Sequence, residues 1–286
     1  MSAAVSIVVA GGTSAEVGRF AQALQRHTMP PSEIEVLVGP PGAAPAQGWN
    51  EAVRRAGAPV LILTRPDFVP SPDFPRSLLA IVRRSPDVIA IGRVSREPGG
   101  STLTRYAAEQ WENDQFAHFP TARVPLLAAA GAPLAIGRDR FLGMGGFAPG
   151  LDWGEEVDLV LRLWEAGAQL ERTEETIGVR PAFHTERELL AQAESDGRGS
   201  ARLYRHRAAT LPHLELGSYS AAGRNAVRLR NGLLAAGVPP RLLASLPVPL
   251  PSAARGRWAR FVVGYAFWRG VWRELTDRDT RVRLQH

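Results

Sequence analysis

The chain contains no cysteine and no lysine. Without cysteine it has no disulfide framework, no thiolate metal site and no cysteine nucleophile. Without lysine it cannot carry a P-loop lysine, a Schiff-base lysine or the strand lysine of a kinase. All 34 basic residues are arginine, for which GC-rich coding is the plain explanation. No apolar run approaches the ~20 residues of a membrane-spanning helix. The first ten residues have no basic stretch and only a short apolar run, so no signal peptide is expected. Neither an internal repeat nor a low-complexity linker interrupts the chain. A reducing, cytoplasmic setting suits these absences.

What remains is a globular composition, 45% hydrophobic and 22% charged over 286 residues. That length suits one large domain, or one domain with a helical appendage. The net charge of +6 favours anionic partners such as phosphates, nucleic acid or an acidic membrane surface.

The N-terminal third alternates strand and helix. Residues 5–10, 35–38, 60–63 and 88–91 read as strands, with helices over 14–27, 46–56 and near 73–84. This rhythm predicts an α/β fold with a mostly parallel, Rossmann-like sheet flanked by helices. Further on, the pattern predicts a helix at 101–116 and a short strand at 133–136. A Gly-rich turn then precedes a strong helix on which Val157, Val160, Leu161 and Trp164 recur at helical spacing. Strand-like residues 177–184 follow, and then helices over 186–209, 219–236, 239–246 and 256–275.

Two stretches carry candidate chemistry. "VVAGGTSAEVGR" invites a dinucleotide reading, but Gly11, Gly12 and Gly18 do not fit G-x-G-x-x-G, and a short-chain dehydrogenase would need a lysine. It reads instead as a strand-to-helix turn beside a ligand. "DWGEEVDLVLRLWEAG" places Asp152 and Trp153 before Gly154, and then opens a helix with adjacent carboxylates, Glu155 and Glu156. Acids in a first helical turn interact well with the helix dipole, which would explain them without any function. The Gly-Gly turn and the aromatic just upstream suggest a carboxylate held at the mouth of a pocket.

With these segments in view, the chain resembles a family 2 glycosyltransferase of the GT-A fold over about residues 4–212. "VSIVVAGGTS" and "EIEVLV" resemble the first two strands. "GWNEAVRRAGAPVLILTRPDFVPSP" resembles the helix and strand that lead to the metal-binding DXD turn. "GAPLAIGRDRFLGMGGFAPGLDWGEEVDLVLRLWEAGAQLE" resembles the acceptor-side segment, and "GRGSARLYRHRAATLP" the basic helix after the catalytic core.

The resemblance implies inverting transfer of a sugar from a nucleotide-sugar donor to a hydroxyl of a lipid-linked, saccharide or small-molecule acceptor. Glu156 falls at the position of the base that deprotonates the acceptor. Glu155 acts beside it, and Asp152 and Trp153 position the acceptor. Ala10, Gly11, Gly39, Asn50, Arg65 and Asp67 fall on the donor side. A divalent metal, manganese or magnesium, would be held by Asp67 and His184. A lone histidine at a strand end is as readily structural.

The sequence departs from the family at the donor end. Arg65 stands where the first DXD acid is expected, Pro66 at the middle, and only Asp67 keeps an acid. The loop after the second strand, Gly39-Pro40-Pro41-Gly42, lacks the acid that contacts the base, and Trp49-Asn50 replaces Arg-Asn. Replacing a carboxylate by a guanidinium shifts the local charge by about two units, comparable with a divalent cation, and a guanidinium fork suits phosphate oxygens. A solvated surface arginine is the plain alternative.

Residues 213–286 read as a helical C-terminal extension beyond the 1–212 domain. Within 255–275, Arg255, Arg257, Arg260, Arg269 and Arg273 interleave with Trp258, Phe261, Tyr265, Trp268 and Trp272. This fits a helix lying on an anionic membrane at the inner face of the cell membrane, a helix docked on the core, or a homodimer contact. No nucleic-acid-binding motif accompanies the arginines, so nucleic acid is not an expected partner. Two rival functions remain: a catalytically inactive GT-A homologue that serves as a binding or scaffold partner, and a GT-A-like nucleotidyltransferase. For the second, Gly11-Gly12 is too little of a signature loop.

Overall fold

The structure is a computed structural model that describes residues 3–112, 126–214, 216, 224–245 and 252–275. In chain order its elements are β1 (Val5–Val9), α1 (Ser14–Leu24), β2 (Ile34–Val38), α2 (Pro45–Arg55), β3 (Val60–Thr64), β4 (Val69–Pro70), α3 (Phe74–Val82) and β5 (Val88–Arg96). Then follow α4 (Thr102–Glu112), β6 (Leu134–Gly137), α5 (Arg138–Gly143), α6 (Glu155–Glu165) and β7 (Gln169–Arg180). The helices α7 (Glu186–His206), α8 (Arg224–Ala235), α9 (Pro240–Ala244) and α10 (Ser252–Glu274) complete it. The chain divides into two compact units: Met1–Glu97 with Glu112–Pro181, and Pro98–Trp111 with Ala182–His286.

The first unit is built on a seven-stranded sheet of order β2-β1-β3-β6-β5-β7-β4. β1 pairs in parallel with β2 and β3, and β5 with β7, while β6 runs against both β3 and β5 and β4 runs against β7. Five strands therefore share one direction, as the alternating pattern predicts. The reversals of β6 and of the short β4 are the features that this pattern does not contain.

Strand faces are set by alternation. Val8, Leu61 and Leu63 join Trp49, Val53, Phe141, Phe147 and Val160 on one side of the sheet. Val5, Ile7, Val9 and Ile62 join Phe20, Phe68, Phe74 and Leu78 on the other. With both faces covered, every residue of β1 and β3 is buried, which is why these strands read as largely apolar runs, broken only by Ser6 and ended by Thr64.

Element ends follow local chemistry. Thr13 and Glu16 form a reciprocal capping box that starts α1. This helix stops at Leu24, three residues before the expected His27, because Arg26 and His27 turn more tightly onto the carbonyls of Ala23 and Leu24. β7 begins at Gln169, eight residues before the expected strand at 177–184, and ends before Pro181. Its first half is largely polar, and its pairing with β5 is broken by two register shifts, so apolar alternation does not mark it.

The second unit is helical. Leu103 of α4, Leu189, Leu190 and Ala193 of α7, and Ala259, Val262 and Ala266 of α10 form its core. α7 and α10 approach closely at Gly197 and Gly270. A Cβ on Gly197 would run into the carbonyl oxygen of Phe267, and one on Gly270 into that of Glu194. Each helix also offers the other a glutamate held by two arginines: Glu194 by Arg269 and Arg273, and Glu274 by Arg202 and Arg205. Residues 113–116, 219–223 and 246, expected as helix, lie outside the described residues.

Candidate active site

β1 and β3 lie side by side in register, Val9 opposite Thr64, so their carboxyl ends open onto the same edge. In open α/β sheets that edge is where ligands sit. Beyond β1 the chain passes through Ala10, buried and donating its N–H to the Thr64 carbonyl at 3.1 Å, to Gly11 at φ 75°. Beyond β3 it passes to Arg65, Pro66 and Asp67.

Arg65 does not extend into solvent. Its Nε donates to Glu156 Oε1 at 3.0 Å and its Nη2 to Glu155 Oε1, so one guanidinium bridges both carboxylates. The group lies over the Trp49 ring, with Cζ 5.2 Å from the centroid. Trp49 is itself buried, pinned through Nε1 to the Thr64 carbonyl at 3.1 Å and packed on Phe147. Side-chain exposure is 25% for Arg65 but 0% for Glu155 and 3% for Glu156. The arginine is thus the lid on a buried acid pair, and the pairing that the sequence leaves open is internal, not solvated.

The electrostatics follow from this burial. Burial, and then the neighbouring Glu156, push the Glu155 carboxyl up to about 8, against the opposing pull of Arg65. Its Oε2 is buried without a hydrogen-bond partner. Burial alone would lower Arg65, but Glu156, Glu155 and Asp67 outweigh it, and the guanidinium is held charged more firmly than usual. One positive charge against two carboxylates leaves one negative charge, and it is the Glu155 carboxyl, raised by burial, that takes a proton to remove it.

Asp67 has a different partner. Arg180, at the end of β7, donates through Nε to Asp67 Oδ2 at 3.0 Å and through Nη2 to the Gly131 carbonyl. Arg180 is buried, whereas Asp67 is 39% exposed. Sequence reasoning missed Arg180, because a single arginine closing a strand carries no local sign of a partner 113 residues away.

The turn before α6 is held from two helices. Asn50 of α2 donates to the Phe147 carbonyl and accepts its N–H, both at 2.9 Å, so its amide positions this turn. Arg162 of α6 donates to the carbonyls of Met144 (2.8 Å) and Gly146 (2.7 Å) while paired with buried Asp158 at 2.9 Å. Gly146 takes a positive φ of 72°, and a Cβ there would meet Asn50 Oδ1, so only glycine fits. The Asp158–Arg162 pair was also missed, although its i,i+4 spacing is a legible signal.

The remaining expected residues are placed as follows. Asp152 is exposed and Trp153 half-buried, immediately before α6. Gly39 closes β2, where a Cβ would lie 2.9 Å from the Gly48 carbonyl, so it lets α2 approach the strand. His184 belongs to the second unit, exposed before α7, with its backbone N–H on Glu188 Oε2 at 3.0 Å.

These residues do not fit a divalent cation. Asp67 is already neutralised by a buried arginine, and Arg65 puts a positive charge at the neighbouring position. Among the described residues no group of three or more His, Asp or Glu side chains is arranged to hold a metal.

No family model matches the sequence, and no curated protein matches it. Solved structures do. The mannosyltransferase PcManGT from Pyrobaculum calidifontis, in complex with GDP-Man and Mn2+, superposes with a TM-score of 0.54 at 16% identity, covering 97% of this chain and 88% of that one. TarS 1–349 from S. aureus gives a TM-score of 0.46 at 12% identity, covering 96% of this chain and 92% of that one. At such identities the likeness is one of architecture: the chain has the GT-A glycosyltransferase fold.

Proposed function

We propose that the chain is a glycosyltransferase that moves a sugar from a nucleoside diphosphate sugar to an acceptor hydroxyl with inversion. The observation that carries this reading is the acid pair, buried at the start of α6 and held by a residue of the β3 edge on a GT-A fold. The mannosyltransferase that shares the architecture is described with a nucleotide sugar, GDP-Man.

In this reading Glu156 is the base. Its carboxylate takes the proton of the acceptor hydroxyl as that oxygen forms its bond to the anomeric carbon. The bond from the anomeric carbon to the phosphate oxygen breaks on the opposite face, and its electron pair leaves with the nucleoside diphosphate. Glu155, neutral over most of the physiological range, sets the charge next to the base without competing for the proton. Trp153 and Asp152, at the open end of the same turn, meet the acceptor. Upstream of them, Asn50 and Arg162 hold the backbone of residues 144–147, which anchors the start of the segment that leads into α6.

A second reading is a binding partner without activity. It draws on the same observation, because Arg65 occupies both carboxylates. A thermal-shift screen of nucleotide sugars, followed by assay of nucleoside diphosphate release with an acceptor panel, separates the two. The transferase reading expects a stabilising donor and release that falls at least a hundredfold in Glu156→Gln with donor binding kept. Binding of a donor without release for any acceptor supports the inactive reading.

A further inference from the structure

We propose that the guanidinium of Arg65 is the diphosphate-binding group of this site, in the position and charge role that a divalent cation would otherwise fill. The inference rests on the nucleotide-sugar reading and names the group that receives the leaving diphosphate.

Four observations converge on it. First, the fork is half used: Nε and Nη2 hold the acids, while Nη1 is turned towards the β1–α1 turn, 3.9 Å from where a Cβ of Gly11 would stand. The absence of a side chain at Gly11 keeps that edge open. Second, the group is oriented before any ligand binds. Trp49 supports one face and the carboxylates fix the rotation, so little side-chain entropy remains to be lost on binding. Third, the two acids keep Arg65 charged in a largely buried setting, where a phosphate contact is worth more than in water.

Fourth, the neighbouring groups are committed elsewhere. Asp67 is paired with buried Arg180, and the first turn of α1 is capped internally by Glu16, which takes the Thr13 N–H at 2.6 Å. A divalent cation placed here would face a guanidinium where it needs a carboxylate.

When the donor breaks, the leaving diphosphate gains negative charge. Arg65 meets that charge while it still bridges the acids, which couples the leaving group to the base through one side chain. Transfer of the acceptor proton to Glu156 weakens that carboxylate's hold on Nε and leaves the guanidinium freer for the phosphate. The two halves of the reaction thus reinforce each other.

The test is calorimetric titration of the full chain with ADP, CDP, GDP and UDP, in EDTA and again in manganese. The expected result is that at least one nucleotide binds in EDTA, with an affinity that manganese changes by less than about threefold. Arg65→Lys, which keeps the charge beside the acids but loses the fork, should weaken binding about tenfold or more. Arg65→Ala should abolish it. Circular dichroism and thermal unfolding of both variants show whether they fold; Arg65→Lys carries the test if Arg65→Ala does not. Binding that requires manganese, or that is unchanged in Arg65→Lys, overturns the inference and leaves the nucleotide-sugar reading standing. Binding of no nucleotide under either condition overturns both.

Discussion

Arg65, Glu155 and Glu156 are each conspicuous in the sequence, but as separate features: an arginine after a strand, and an acid pair opening a helix. Their joining is not written locally, because the partners are 90 and 91 positions apart in the chain and only the fold brings them together. The pairing has a consequence for stability. Glu155 is raised in the folded chain to about 8 from an ordinary 4.5, so the unfolded chain ionises first. The stability of neutral Glu155 is therefore fully present below about 4.5 and is lost as pH rises through about 8. Thermal unfolding of wild type and Glu155→Gln between about pH 5 and pH 8 checks this. Wild type should lose a few degrees relative to the variant on going up in pH, at roughly 2–4 °C per kcal/mol for a domain of this size. Parallel curves would mean that Glu155 keeps an ordinary carboxylate in the fold.

At the scale of elements, most strands and helices were legible because apolar periodicity and breaker residues coincide with their ends. β7 was legible only in its last third, since its first residues are polar and its pairing with β5 slips twice. The α7–α10 contact was not legible at all: a glycine within a helix signals weakness unless the neighbour is known. Substitution distinguishes the cases. Glycine to alanine inside a helix is intrinsically worth about 1 kcal/mol in favour of alanine. At Gly18, exposed on α1 with no atom within 4 Å of where a Cβ would stand, that gain should appear as a higher midpoint in urea. At Gly197 or Gly270 a backbone carbonyl occupies the space, and the sign reverses. A net loss of about 1–3 kcal/mol is expected there, the usual cost of overpacking. A Gly197→Ala protein as stable as wild type would show that the two helices are not this close.

For the whole molecule, the alternation of strand and helix was enough for an α/β fold with a mostly parallel sheet; the GT-A architecture came from the resemblance of particular segments, and a superposition at 16% identity bears it out. The C-terminal helix was less transparent. Its aromatics and arginines are interleaved in sequence, yet Tyr265, Phe267 and Trp268 are buried within the helical unit while Arg255, Arg257 and Arg260 remain exposed. The N-terminal half of this helix thus carries its positive charge outward, and Tyr265, Phe267 and Trp268 turn to the core of the helical unit. No described helix is long and apolar enough to cross a membrane. The proposed reading turns on Arg65 at the end of β3, where the sequence resemblance implies an acid and the structure has a guanidinium bridging Glu155 and Glu156. The most direct test is a crystal structure grown in EDTA with the nucleotide sugar that gives the largest thermal shift. The account predicts a phosphate oxygen on Arg65 Nη1, with Asp67 still paired to Arg180. A diphosphate bound away from Arg65, or one seen only when a metal joins it to Asp67, would contradict it.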